Sequence, residues 1–436
     1  MIIDIKKYNV ANDGKTNVTK DIQKIIDFLH NDDTLVISSG KYLVSGLFLK
    51  SNINLIVDNN AELIASVNEK DYVLVDTRIA GVEMKWYPGI LNCNNCHNVT
   101  ISGKGTINGN GPYWWSKYWG IDMHGGMRKE YDAKGLRFLC DYDCMRPRNL
   151  VISNSSNIEI KDITSFESGF WNVHILYSDN IIVDNIHIDS SNLCAPSTDG
   201  IDIDSSSNII VKNCVLRTND DSISIKSGRD YDGIRVNRPC HDISIVDCKF
   251  KEGFGVTIGS EVSGGIYNVW LKNLVFDGTD CGFRIKSSLP RKGYIKNVYV
   301  DNIKMINVKY AFHWFLNWNP NYSICTLPND YSGEITKTIK TLCMKTDGVN
   351  TKVSNIFVNN VVSTYKDDYH GISRAFNIEG FSDSYMHDII FKNVNIKAKE
   401  YGFIRYADIL FIDSNISFKG ENDYKNDEYD NRKGRI

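Results

Sequence analysis

STDGIDIDSSSNIIVKNCVLRTNDDSISIKSG, residues 197–228, holds three aspartates among strand-like residues. Ile223 and Ile225 alternate with Ser222 and Ser224, the period-two signature of a strand, and the run Ile209, Ile210 and Val211 suits one too. Asp199 precedes the pair Asp220–Asp221 by 21 and 22 residues, so each acidic group stands at the start of a strand, about one repeat apart. Parallel strands stacked in register would set these carboxylates on neighbouring rungs, roughly 5 Å apart. Strict alternation would nevertheless place Asp220 and Asp221 on opposite faces, and Asp199 with the core-facing Ile201 and Ile203. Both sites therefore need a local bend or bulge, and Gly200 is expected to supply one.

Outward from this stretch the pattern repeats. An apolar tetrad led by Asn or Asp recurs as Asn157-Ile-Glu-Ile, Asn180-Ile-Ile-Val, Asn208-Ile-Ile-Val, Asp242-Ile-Ser-Ile, Asn268-Val-Trp-Leu, Asn297-Val-Tyr-Val, Asn355-Ile-Phe-Val and Asp388-Ile-Ile-Phe. Successive starts lie 23 to 34 residues apart, except for one gap of 58, which hides either a degenerate copy or an insertion. Self-similarity at such a period marks a solenoid or a propeller. Hairpin turn signals of the kind a propeller blade needs are missing. Residues 19–30 place Ile22, Ile25, Ile26 and Leu29 on one helical face, the one convincing amphipathic helix. The expected fold is therefore all-β: a single-domain, right-handed parallel β-helix (solenoid) over residues 1–419, its open N-terminal end covered by that capping helix. Aromatic-rich stretches at 111–148 and 309–345 interrupt the repeat as insertions, which on a solenoid often decorate the binding face. Such loops suit the apolar faces of sugar rings, or they pack a small core of their own. The tail 420–436 is charged and aperiodic and is expected to fray.

Composition narrows the partners. Hydrophobic residues make up 42% of the 436, ample for a core, and a net charge of −3 supplies no basic field for nucleic acid. No stretch approaches ~18 apolar residues, so no membrane span is expected. The start, MIIDIKKYNV, lacks a basic segment followed by an apolar one, which points to a cytoplasmic protein. Eleven cysteines without framework spacing fit reduced, buried thiols. Cys93-Asn-Asn-Cys96-His97 has the spacing for haem attachment, but it runs straight into the strand signal Asn98-Val-Thr-Ile and is read as structural.

Clustered carboxylates on a rigid β-helix suit glycoside hydrolysis, where one acid protonates the leaving oxygen and another activates water or attacks directly. Calcium binding and capped turns are the rival readings of such a cluster. Further on, Arg284 and Lys286 stand two apart in Phe283-Arg-Ile-Lys-Ser287, so both point to one face of a strand. Two cations beside three acids would bind a carboxylate-bearing sugar, with arginine as a bidentate fork.

These motifs together resemble the polygalacturonase family of pectin-degrading glycoside hydrolases. The likeness runs from DGKT (13–16) through GLFLKSNINLIVDNNAELIAS (46–66), GTINGNGPYWW (105–115), STDGIDID (197–204), NDD (219–221) and IGSE (258–261) to FRIKS (283–287). The resemblance implies a right-handed parallel β-helix that hydrolyses with inversion, without cofactor or metal. It implies Asp220 as general acid, Asp199 and Asp221 as holders of the water, and Arg284 and Lys286 as contacts of the uronate carboxylate. Lys226 and Phe254 are counted with the substrate contacts. Three departures stand out: Ser197 for the family's Asn, Asn219 for its Gly, and Phe254 for the histidine of its Gly-His-Gly. Phe254 removes a hydrogen-bonding group but can stack on a sugar. The expected substrate is a galacturonate-containing pectic oligosaccharide, cleaved from its end. A related glycan such as rhamnogalacturonan, a calcium-dependent lyase, and a non-catalytic carbohydrate-binding β-helix are the alternatives. Oligomeric state is open.

Overall fold

The computed structural model describes residues 1–122, 124–190 and 195–419; the tail expected at 420–436 lies outside the described residues. Two long parallel sheets, of 22 and 11 strands, run the length of the molecule, with one antiparallel hairpin, Val75–Ile79 and Val82–Trp86, beside them. A typical coil contributes one strand to the smaller sheet and two to the larger, as in Ile201–Asp204, Ser207–Lys212 and Val215–Arg217. The chain is a parallel β-helix, and successive parallel connections of this kind are right-handed. Ile201 and Ile203 pair with Ile223 and Ile225, which continue into Val256 and Ile258, all fully buried. Isoleucine and valine dominate this continuous core, as β-branched side chains suit a pleated, stacked surface.

The recurring Asn or Asp has a physical cause. Asn157, Asn180, Asn208, Asp242, Asn268, Asn297, Asn355 and Asp388 all adopt left-handed backbone, with φ between 54° and 57°. Asparagine and aspartate tolerate that conformation better than other non-glycine residues. Their side chains then link successive coils: Asn297 Nδ2 donates to Asn268 Oδ1 at 3.0 Å, and Asn355 Nδ2 to Asn297 Oδ1 at 2.6 Å. The second of these bonds resolves the gap of 58. Tyr294–Ile306 pairs directly with Lys352–Thr364, Val298 opposite Ile356, so the gap is one coil carrying an insertion.

The helix Thr19–Phe28 buries Ile22, Ile25 and Ile26 in the main core. It lies against Leu47–Leu49, the terminal strand of the smaller sheet. There the Gln23 amide donates to Phe48 O and accepts from Phe48 N, at 2.9 and 2.8 Å. Edge backbone groups are thus satisfied by a side chain. The insertions mostly pack a second core. Trp114, Leu139 and Tyr142 from the first meet Ile339 and Leu342 from the second, against Ile79, Val82 and Trp86 of the hairpin.

Candidate active site

The smaller sheet alternates as its sequence does. Ile201, Ile203, Phe283 and Ile285 point into the core, which leaves Asp202, Asp204, Arg284 and Lys286 on the other face. Thr257 and Arg284 are register partners on that face, so a single row carries Asp202, Ser224, Thr257 and Arg284 across four coils. Asp199 and Asp221 precede their strands. The spacing of 22 residues equals one coil, since Ile201 pairs with Ile223. One oxygen of each of Asp199, Asp220 and Asp221 lies within 4.8 Å of the others. They line a cleft with Phe170, Trp171, Trp318 and Tyr322 as aromatic walls and Lys226 and Lys286 as cations. All three acids face this cleft, although Asp199 and Asp221 are themselves buried in its floor.

The bend before Ile201 is made differently from the expectation. Gly200 is not left-handed; Ser197 is, with φ +54°. Gly200 is needed for close approach, because a Cβ there would lie 2.2 Å from Ser222 O. Asp220 is turned outward by a tight loop in which Thr218 Oγ1 donates to Asp220 O at 2.9 Å and Asp220 Oδ1 accepts from Asp221 N at 2.9 Å.

The acids sit in contrasting surroundings. Asp221 accepts from Thr257 Oγ1 at 2.7 Å, from Arg284 Nη1 at 3.2 Å and from Lys286 Nζ at 2.7 Å. Burial works to raise its pKa, but Lys286 and Arg284 outweigh that and hold it below the usual carboxylate range. Asp199 goes the other way. Burial, then the neighbouring Asp202, push its carboxyl well up, with Asp220 and Asp221 adding to the effect and Lys226 opposing it. Asp202 is also raised, to about 7, chiefly by burial.

The structure places the expected substrate contacts unequally. Lys286 lines the cleft, its Nζ 4.6 Å from the Trp318 ring centroid. Arg284 and Phe254 do not line it. The Arg284 guanidinium lies 4.9 Å from the Phe254 ring centroid, so Phe254 packs behind a cation that already faces Asp221. Lys226 reaches the cleft, but its ammonium is engaged by Asp199 and Asp202. Asp202, Thr257 and Trp171 were missed in the sequence. The alternation Ile201-Asp202-Ile203-Asp204 could have revealed Asp202, whereas Thr257 and Trp171 depend on which coils become neighbours.

Three carboxylates this close could share a cation. The donor set fits one poorly. Both Asp221 oxygens and one of Asp199 already face lysine or arginine nitrogens. A calcium site needs about 6–8 oxygen ligands, and these cations repel a divalent ion.

Comparison with known proteins agrees with this geometry. A grape (Vitis vinifera) protein described as a probable polygalacturonase is 30% identical over 313 residues, covering 69% of this chain and 60% of its own length. The match therefore spans less than two thirds of that relative. An endo-polygalacturonase of Pectobacterium carotovorum subsp. carotovorum is 29% identical over 307 residues, covering 67% of this chain and 70% of its own. Among solved structures, a hyperthermoactive exopolygalacturonase from Thermotoga maritima superposes with a TM-score of 0.78 at 25% identity, over 96% of this chain and 92% of that one. The model for "Glycosyl hydrolases family 28" matches residues 65–326, well over half the chain and a segment that encloses the three acids, Lys226, Arg284 and Lys286, and the chain belongs to that family.

Proposed function

We propose that this chain hydrolyses galacturonate-containing pectic oligosaccharides. The observation that carries the reading is the three-acid cleft with a lysine at its wall and aromatic rings beside it. Asp220, the most open of the three, delivers a proton to the glycosidic oxygen as the C–O bond breaks. Asp199 and Asp221 hold the water and take up its proton as the oxygen bonds to the anomeric carbon. Lys286 faces the uronate carboxylate, and the aromatic walls receive the apolar faces of the sugar. Incubation with a panel of pectic oligosaccharides, read by mass spectrometry, tests this. Binding without any product would leave a carbohydrate-binding β-helix instead.

Inversion carries over from the family resemblance. NMR of the first-formed anomer decides: an inverted product is expected, and a retained one would make a carboxylate the nucleophile. Phe254 in the histidine position favours a second reading, in which the glycan is a relative of homogalacturonan such as rhamnogalacturonan. Release of rhamnose-containing products alone would establish it. Free thiols at the described cysteines support a reducing, cytoplasmic location, which cell fractionation tests.

A further inference from the structure

Lys226 lines the cleft and, like Lys286, is almost wholly enclosed. Its strand Ile223–Lys226 pairs with Ile201–Asp204, Asp204 opposite Lys226. From there its Nζ lies 2.5 Å from Asp202 Oδ1, 3.3 Å from Asp199 Oδ2 and 4.1 Å from the Trp171 ring centroid. Two carboxylates and a ring face thus surround the ammonium, and Asp199 Oδ2 accepts its hydrogen bond. The side chain is only 6% exposed. Asp202 in turn is fully buried, and among the described residues neither of its oxygens has a hydrogen-bond partner beyond this ion pair. Each charge would be costly to bury without the other.

We propose that Lys226, seated between Asp202 and Asp199 and resting on Trp171, is a positioning residue for Asp199 and not a ligand for the substrate carboxylate. This rests on the hydrolase reading above and assigns the cleft's two lysines different tasks. Among the described residues Lys286 pairs with one acid, Asp221, where Lys226 pairs with two, and it stands beside Trp318 at the cleft wall with donor capacity left for a uronate. Lys226 is spent on the protein's own acids. Asp199 faces Asp202, Asp220 and Asp221, and Lys226 also senses Glu261. Among four carboxylates, the lysine is the group that draws Asp199 Oδ2 to one side and leaves its other oxygen for the water.

The test compares wild type, Lys226→Met and Asp202→Asn on oligogalacturonates across the pH range, together with carboxyl infrared titration. The Asp199 band is assigned by its loss in Asp199→Asn. In Lys226→Met, kcat is expected to fall about 10²-fold, the scale of an ångström of misplacement, with KM unchanged. The acid limb of the pH profile and the Asp199 band should both move to higher pH. Asp202→Asn, which keeps the lysine but removes the charge that raises Asp199, should lower kcat less and move the Asp199 band to lower pH, and it carries the test if Lys226→Met does not fold. A raised KM for uronate-ended substrates with kcat preserved would overturn the proposal, as would an Asp199 band that does not move. A shifted band in a protein whose wild type turns over no pectic substrate would uphold the positioning role and reject the hydrolase reading.

Discussion

Asp220 and Asp221 are adjacent in sequence and opposite in circumstance. Asp221 is enclosed by Thr257, Arg284 and Lys286, which hold it ionised, while Asp220 is half-open to the cleft. Asp220→Asn should therefore lower kcat by about 10²–10⁴-fold, the usual worth of a general acid. Calorimetry should show substrate affinity retained, and an active variant would move the acid elsewhere. A pH effect follows from Asp199. Its carboxyl, raised by burial and by Asp202, must lose its proton before it can accept one from water. Activity should thus rise with pH along an acid limb lying above the ~3.9 of an unperturbed aspartate. Asp221, shifted down, stays ionised throughout that range and adds no limb. A kcat/KM profile already flat from that ordinary value upward would contradict the assignment of Asp199.

At the scale of the coil, the asparagine rows do two jobs. They accept the left-handed backbone at each bend, and they tie one coil to the next. Asn297 sits at φ +57° and bonds both to Asn268 and to Asn355. Substituting alanine removes both bonds and forces a Cβ-bearing, non-polar residue into strained backbone, for an expected loss of about 1–3 kcal/mol in urea denaturation. Asn297→Gly keeps the backbone unstrained and isolates the bonds, so it should cost less. Equal losses would mean that the conformation contributes nothing. The repeat was readable because the physical demand on this position recurs every coil. The gap of 58 was not resolved in the same way, since a degenerate coil and an insertion leave the same spacing; the pairing of Val298 with Ile356 decides between them.

Across the whole molecule, the two insertions converge on one side of the sheet. Their aromatic residues mostly form a core with the hairpin, while Asp141 from the first and Trp318 and Tyr322 from the second reach the cleft. Walls of this kind suit a cleft that takes a chain by its end. Incubation with polygalacturonate should release monomers or short products while viscosity falls slowly; a rapid viscosity loss with few new ends would show internal cleavage. The period, the parallel β-helix, the three acids and the shared face of Arg284 and Lys286 could all be read from the residues, because each depends on spacing along one chain and on the alternation of a strand. What the cations do was not legible there, because it is settled by contacts between distant coils. Whether Arg284 meets a sugar or Asp221, whether Phe254 stacks on substrate or backs a guanidinium, and which acids claim Lys226 all depend on how residues 24 to 63 positions apart are brought into contact. Those contacts are set by coil register and side-chain reach, and neither leaves a mark on local sequence pattern.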